Sequence, residues 1–273
     1  MYQTEIERLA EMLGQADAVV IAASNGFDIA DGYNQFACDE AFLRTFGDLH
    51  RDYGLMSILQ GLMARWPSAR ERWRFLARLI EYGYRAYAPS PVMRALDEAT
   101  RDMPRFVVTC NCNSRFLKAG FSSDGLLETE GSFARLHCTA SCSQETYDAL
   151  QMIDIAAGDL PRCPRCGAVL DAAVDDTGRI GALEPFAAQR ARMRAFLDGH
   201  ASDRTLVLEL GVGQGNRAIK APLMAWAERA PGTRYVVVNR DEPVLPALPE
   251  NRAVGIRGDL ARVLADLGMA QNR

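Results

Sequence analysis

No apolar run in these 273 residues approaches the roughly 18 needed to cross a bilayer as a helix, so no membrane partner is expected. Basic charge is also short. Thirty-one Lys and Arg against 35 Asp and Glu leave a net charge of -4 and a pI near 5.5. That balance argues against a broad face for a phosphate backbone, and hence against nucleic acid as a partner. The first residues, Met1-Tyr-Gln-Thr-Glu-Ile-Glu7, lack the basic start and apolar stretch of a secretory signal, so the expected compartment is the cytoplasm. There are only three histidines, His50, His137 and His200, and the seven cysteines are an odd number. A reducing compartment then favours metal binding over disulfides. Hydrophobic content of 48% and charged content of 24% are ordinary for a globular protein. The length suits one large domain or one domain with a sizeable insert.

What is present is a series of short buried strands that end in small or polar residues. Ala18 to Ala23 leads into Ser24, Asn25 and Gly26. A buried strand running into a small-residue turn opens the nucleotide site of doubly wound sheets, because small side chains let backbone N–H groups approach a pyrophosphate. Arg105 to Thr109 ends in Cys110-Asn111-Cys112-Asn113, which reads equally as a ligand contact and as a capped turn. Thr205 to Leu210 leads into Gly211-Val-Gly-Gln-Gly215, and Arg234 to Val238 into Asn239-Arg240-Asp241. Ala253 to Arg257 leads into Gly258-Asp259 and a last helix to Leu267.

Helices fill the intervals. Thr4 to Leu13 is amphipathic, with Thr4 and Glu7 as a capping box. Residues 39–103 carry apolar stripes at helical spacing, such as Phe75, Leu76, Leu79 and Ile80, that read as core. Phe186 to Leu197 is a further helix, with arginines at 190, 192 and 194. Strands alternating with helices imply an α/β fold with a parallel, Rossmann-like sheet.

Cys138-x3-Cys142 and Cys163-Pro-Arg-Cys166-Gly167 lie twenty residues apart. Two close cysteine pairs suit a tetrahedral structural zinc site. Four thiolates leave no position for water, so the zinc is not catalytic. Residues 39–103 and a zinc module at 136–167 are then inserts forming a smaller domain. Residues 1–38, 104–135 and 168–273 make up the nucleotide-binding domain.

This order of elements resembles the sirtuin family over nearly the whole chain. Sirtuins open with Gly-Ala-Gly-Ile-Ser-x-x-Ser-Gly-Ile-Pro-x-Phe-Arg, where this chain reads Ser24-Asn25-Gly26-Phe27-Asp28-Ile29-Ala30-Asp31-Gly32-Tyr33-Asn34-Gln35-Phe36-Ala37. Gly26, Gly32 and Phe36 are kept. Asp28 stands in place of Ser and Ala37 in place of Arg, and a carboxylate near a pyrophosphate is unfavourable. The family's Thr-Gln-Asn-Ile-Asp reads Thr109-Cys110-Asn111-Cys112-Asn113. The resemblance implies that NAD is bound by Ser24, Asn25, Gly26, Asp31, Phe36, Asn111, Asn113, Gly211, Val212, Gly213, Asn239, Arg240, Asp259 and Leu260. Asn111 would face the nicotinamide ribose and Asn113 the nicotinamide amide, with Phe36 shielding the ribose C1′.

The largest departure is at the family's catalytic His-Gly, where this chain has Glu130-Gly131-Ser132. An unperturbed Glu has a pKa of about 4.3 against about 6.5 for His, so it is the weaker base. The family's peptide-pairing strand is not recognisable in Ala168 to Asp176. Both departures look like class M sirtuins, which lack the His and transfer ADP-ribose to a protein. Gln189-x-x-Arg192 before Phe196-Leu197, and Glu209-Leu-Gly-Val-Gly213, also look like that branch. The expectation is a transferase that cleaves the nicotinamide–ribose bond and passes ADP-ribose to a protein acceptor, with Asn111, Asn113, Glu130 and Arg192 as catalytic residues. A protein-lysine deacylase and a non-catalytic NAD or ADP-ribose sensor are the alternatives.

Overall fold

The buried runs form strands in a computed structural model of the chain, which describes residues 2–174 and 179–271. In chain order these are β1 (Ala18–Ala23), β2 (Arg105–Thr109), β3 (Leu126–Glu128), β4 (Gly131–Cys138), β5 (Thr146–Asp148), β6 (Leu170–Val174), β7 (Thr205–Leu210), β8 (Arg234–Asn239) and β9 (Ala253–Arg257). Six of them make one parallel sheet in the order β3-β2-β1-β7-β8-β9. Every residue of β1 and of β7 is buried, as a central strand covered by helices on both faces requires.

On one face lie α1 (Tyr2–Gly14), α6 (Pro91–Thr100) and α11 (Leu260–Gln271), packing Leu9, Leu96 and Val263 against Val19, Ile21 and Leu208. On the other lie α9 (Phe186–Gly199) and α10 (Arg217–Arg229), packing Met193, Ile219 and Trp226 against Val20, Phe106 and Val207. The chain winds from β1 outward through β2 to β3, and from β7 outward through β8 to β9. The winding direction therefore reverses between β1 and β7, which opens a crevice at their carboxyl ends.

The other three strands form an antiparallel sheet in the order β5-β4-β6. The helices α3 (Glu40–Tyr53), α4 (Ile58–Met63) and α5 (Ala69–Ile80) cover it, and a π-helical turn follows at Glu81–Arg85. Phe42, Phe46, Phe75 and Leu79 bury themselves with Phe133, Leu136 and Leu170 from the sheet. Ala149 and Met152 of α8 (Ala149–Ala156) join the same core, while the short α7 (Arg115–Lys118) lies between β2 and β3. The Trp73 indole N–H donates to the Leu170 carbonyl at 2.8 Å and ties helix to strand. Among the described residues no helix is long and apolar enough to cross a membrane.

Several expectations need correction. Helix α1 begins at Tyr2, so Thr4 lies inside it and caps nothing. The stretch after β1 is not an open turn but a short helix, α2 (Asn25–Ala30). Strand β3 escaped notice because a three-residue run carries no periodicity. Strand β6 begins at Leu170 and pairs with β4 in the small antiparallel sheet. The same pairing gives Leu170 to Val174 a strand; Asp175 and Asp176 lie outside the described residues.

Candidate active site at the strand switch point

Two glycine-bearing segments meet at the crevice. The Gly26 N–H donates to the Gly211 carbonyl at 3.0 Å, and the Gly211 N–H to the Val238 carbonyl at 2.9 Å. A Cβ on Gly26 would lie 2.6 Å from the Gly211 Cα, and Gly211 holds a φ of 61°. These glycines are therefore needed for backbone-to-backbone contact between the loops after β1 and β7. The Gly26 amide is thereby engaged inside the fold.

Ser24 leads into α2 without capping it by its side chain; its hydroxyl lies 3.0 Å from the Cys110 thiol. Asn216, at the start of α10, donates to the same thiol at 3.2 Å and joins the loop after β7 to this group. The Asn111 amide nitrogen donates to the Ser24 carbonyl at 3.1 Å. Asn111 is buried, and its Oδ1 has no hydrogen-bond partner. A buried acceptor left unpaired is costly, and here it lies at the carboxyl end of β2, where such sheets bind ligands.

Asn113 is bonded at both ends of its amide within the protein. Its Nδ2 donates to the Asp28 carboxylate at 2.7 Å, and its Oδ1 accepts from the Arg115 N–H at 3.2 Å. Asp28 is buried. Burial pushes its carboxyl from 3.8 up to about 7, against the opposing pull of the Arg115 charge and of the Asn113 and Asn111 amides. Asp31 is likewise committed. Its carboxylate accepts from the Arg115 guanidinium at 3.1 Å and from the Tyr87 hydroxyl at 3.0 Å. Arg115 also donates to the Gly83 carbonyl in the π-helical turn and lies against the rings of Tyr33 and Tyr87. It clasps the first loop of the large sheet to the helical insert.

The segment before β4 is laced to the same turn. Thr129 N–H donates to the Thr109 carbonyl at 2.8 Å, and Phe133 N–H to the Cys112 carbonyl at 2.8 Å. This brings Glu130 beside the turn, where its charge helps raise the thiols of Cys110 and Cys112 above their usual range, burial being the larger cause. Behind it lies Glu128, buried and pushed up to about 7 by burial, accepting from the Ser114 hydroxyl at 2.6 Å. Ser114 holds a left-handed φ of 51°, a conformation costly for a non-glycine residue. Sequence reading missed Glu128, Ser114, Arg115 and Asn216. A carboxylate closing the apolar Leu126-Leu127 run was the one available signal.

The remaining expected residues are scattered along the same rim. The Asn239 amide donates to the Val212 carbonyl at 2.9 Å, and the Asn239 carbonyl accepts from Gly258 N–H. Val212 is fully buried, whereas Gly213 is exposed, its carbonyl accepting from the Asn216 N–H. The Arg240 carbonyl accepts from Arg257 at 3.4 Å. Asp259 accepts from the Arg262 N–H at the start of α11, and Leu260 is a core residue. The Asn25 side chain accepts from Gln35 at 2.7 Å, holding the loop that bears Phe36. Phe36 is exposed. Arg192 reaches the Ser123 carbonyl at 3.2 Å and the Asp124 carboxylate at 3.8 Å, at the outer edge of the sheet. From α9, Gln189 accepts from the Glu128 N–H and Arg190 donates to the Thr129 carbonyl.

At the far end of β4, the sulfurs of Cys138, Cys142, Cys163 and Cys166 all lie within 4.8 Å of one another. Backbone N–H groups of Arg165 and Cys166 point at the Cys163 sulfur, and with the Tyr147 hydroxyl they bring its pKa down to about 6 despite the opposing effect of burial. Four converging thiols, with amides aimed at one of them, fit a tetrahedral metal ion.

No family model matches the chain. It is 25% identical over 275 residues to a Protein ADP-ribosyltransferase of Staphylococcus aureus (strain Mu50 / ATCC 700699), covering 96% of this chain and 86% of that protein. It is 28% identical over 184 residues to an NAD-dependent protein deacylase of Pyrococcus abyssi (strain GE5 / Orsay), covering 66% and 68%. The solved complex of a Sir2 homolog with NAD superimposes with a TM-score of 0.64 at 20% identity, covering 97% of this chain and 94% of that one. At this identity the structural likeness is one of fold: the chain has the sirtuin fold, a parallel Rossmann-like sheet carrying a smaller inserted unit.

Proposed function

We propose that the protein cleaves the nicotinamide–ribose bond of NAD and transfers ADP-ribose to a protein acceptor. The observation that carries this reading is Asn111, whose buried, unpartnered Oδ1 lies at the switch point of a sirtuin-fold sheet. When the glycosidic C–N bond breaks, its electron pair leaves on the nicotinamide nitrogen and positive charge develops on the ribose. Asn111 Oδ1 supplies a fixed negative dipole for that charge at no cost in reorganisation. The acceptor's nucleophile then bonds to C1′, and Glu130 takes its proton. Such chemistry depends on positioning more than on a strong base, which suits a carboxylate where deacylating sirtuins carry His. The four cysteines hold structural zinc, which stabilises β4–β6 and takes no part in the reaction.

The test is nicotinamide release from NAD by the zinc-loaded protein, with transfer of adenylate-labelled NAD followed onto protein in a lysate. Asn111→Ala should lower release by about 100-fold or more. Labelled protein that disappears with Asn111→Ala supports transfer. Release that depends instead on an acyl-lysine peptide supports a deacylase. NAD binding without release under any of these conditions refutes the reading.

A further inference from the structure

Three of the described residues other than glycine hold a left-handed φ: Ser114, Ser141 and Ala157. Ser141 and Ala157 are exposed, whereas Ser114 is buried. A serine before a helix ordinarily caps it. Ser114 precedes α7, yet its side chain makes no capping bond. The hydroxyl turns instead to Glu128, at the end of β3, and to Ser132, near the start of β4, and lies 2.6 Å from each. Both partners are buried. An ionised carboxylate only accepts, so Ser114 donates to Glu128 and Ser132 donates to Ser114. The short separation to Glu128 suits a charge-assisted bond. Ser132 Oγ accepts in turn from the Ala134 N–H at 3.0 Å.

One hydroxyl thus closes a loop, because Glu128 and Ser132 bracket Thr129, Glu130 and Gly131. The flanks of that turn are held from outside it. Arg190 donates to the Thr129 carbonyl at 3.3 Å. Gly131 has a φ of 82°, and a Cβ there would lie 2.0 Å from the Ala173 carbonyl oxygen.

We propose that Ser114 is a positioning residue of this site: its hydroxyl, bridging Glu128 and Ser132, staples the two ends of the turn and fixes the backbone that carries Glu130. The inference rests on the NAD-cleaving reading above, in which Glu130 takes the acceptor's proton, and it deepens that reading. The strained backbone at Ser114 serves to aim the hydroxyl rather than to cap α7. A misplacement of about 1 Å at a reacting group can lower a rate by about 100-fold. Glycine adopts a left-handed φ without strain, so Ser114→Gly removes the hydroxyl and relieves the backbone. Ser114→Ala removes the same hydroxyl and keeps the strain. The two variants therefore separate positioning from support of the fold.

The experiment measures kcat and KM for NAD from nicotinamide release at pH 8, using the full zinc-loaded chain in the presence of lysate protein. Tm is measured alongside, and ADP-ribose binding by calorimetry. Ser114→Gly and Ser114→Ala should each lower kcat by about 10- to 100-fold, with KM and ADP-ribose affinity within about twofold of wild type. The Tm of Ser114→Ala should lie about 2–4 °C below that of Ser114→Gly, so that the rate follows the hydroxyl and the Tm follows the backbone. Ser132→Ala removes the other end of the bridge and should lose rate as Ser114→Gly does. In a Glu130→Ala background, Ser114→Gly should change kcat by under about twofold, because it acts through Glu130. A kcat within about twofold of wild type in both Ser114 variants overturns the inference and leaves NAD cleavage standing. A kcat loss that follows Tm, or a full loss added on top of Glu130→Ala, also overturns it, by making Ser114 a general support of the fold. If wild type releases no nicotinamide, the proposed function falls and this inference falls with it.

Discussion

Replacing Asp28 by Asn should make the protein more stable while making it less able to cleave NAD. The Asp28 carboxyl is only 4% exposed, and burial raises its pKa from 3.8 to about 7. Between about pH 4 and pH 7 the folded protein therefore keeps a proton that the unfolded chain has lost. The stabilisation linked to that proton is complete below about pH 4 and is gone once the pH has risen through 7. At about 1.4 kcal/mol per pH unit, ionising this group in place costs the fold on the order of 4 kcal/mol at pH 8. An asparagine side chain at this position still accepts from Asn113 but has no charge to desolvate. With part of the penalty relieved, a gain of about 2–4 kcal/mol is expected at pH 8, a rise in Tm of roughly 5–12 °C for a chain of this size. At pH 5 the gain should shrink to under about 2 kcal/mol, because the wild-type carboxyl is then mostly neutral.

The assay is denaturant unfolding of wild type and Asp28→Asn at both pH values with zinc present, so that effects on the metal site cancel in the comparison. No gain at pH 8, or a gain of equal size at pH 5, refutes the reasoning and means the carboxyl is solvated or better paired than its surroundings indicate. A gain coupled to lost cleavage identifies Asp28 as a group kept for function against stability.

Gly26→Ala places a Cβ 2.6 Å from the Gly211 Cα, and backbone cannot swing aside; about 1–3 kcal/mol of stability should be lost, with nicotinamide release falling further than the unfolded fraction explains. Lys220→Met leaves Glu209 buried on the sheet beside the Tyr235 hydroxyl without its cation, at a cost of about 3–5 kcal/mol by urea unfolding at pH 8; adding Glu209→Gln should restore most of it. Burial raises the Glu209 pKa, so the Lys220→Met penalty should also ease as the pH is lowered and the acid protonates. Elemental analysis should find one zinc per chain, and chelation should strip hydrogen-exchange protection from residues 131–174 before it affects β1 or β7; a chain that binds no metal refutes the four-cysteine assignment.

The parts legible in the sequence are those written in local pattern. Ala18–Ala23 and Thr205–Leu210 are continuous apolar runs, so they read as strands buried on both faces, and they are. The cysteine pairs announce themselves by spacing, because ligands of one tetrahedral site must come from two tight turns. The polar interior of the site is less legible because its bonds are non-local. Ser114 reaches Glu128 and Ser132 from a turn whose left-handed backbone has no local signature. Arg115 looks like an ordinary helix-start residue until the fold places it against Asp31, Gly83, Tyr33 and Tyr87. Arg192, a cation at a suggestive spacing, contacts the turn at Ser123 and Asp124.

Two departures from the sirtuin motif, taken one at a time, look like losses. Asp28 in place of Ser brings a carboxylate toward a phosphate site, and Asn113 in place of Asp removes one from the nicotinamide side. The fold puts the two residues, 85 positions apart, at either end of one buried hydrogen bond. The carboxylate stands on α2 after β1, and the amide from the loop after β2 donates to it. Electrostatics favours the exchange only if both positions change together. A single Asp at 113 would place two acids in one buried bond, and a single Ser at 28 would leave the Asn113 amide without its carboxylate. Comparison by position registers two mismatches, whereas the fold joins the two residues in one carboxylate–amide pair. Its location in the first turn of α2, tied through Asn113 to Arg115 and on to the helical insert, joins this bond to the same clasp that holds the insert to the large sheet.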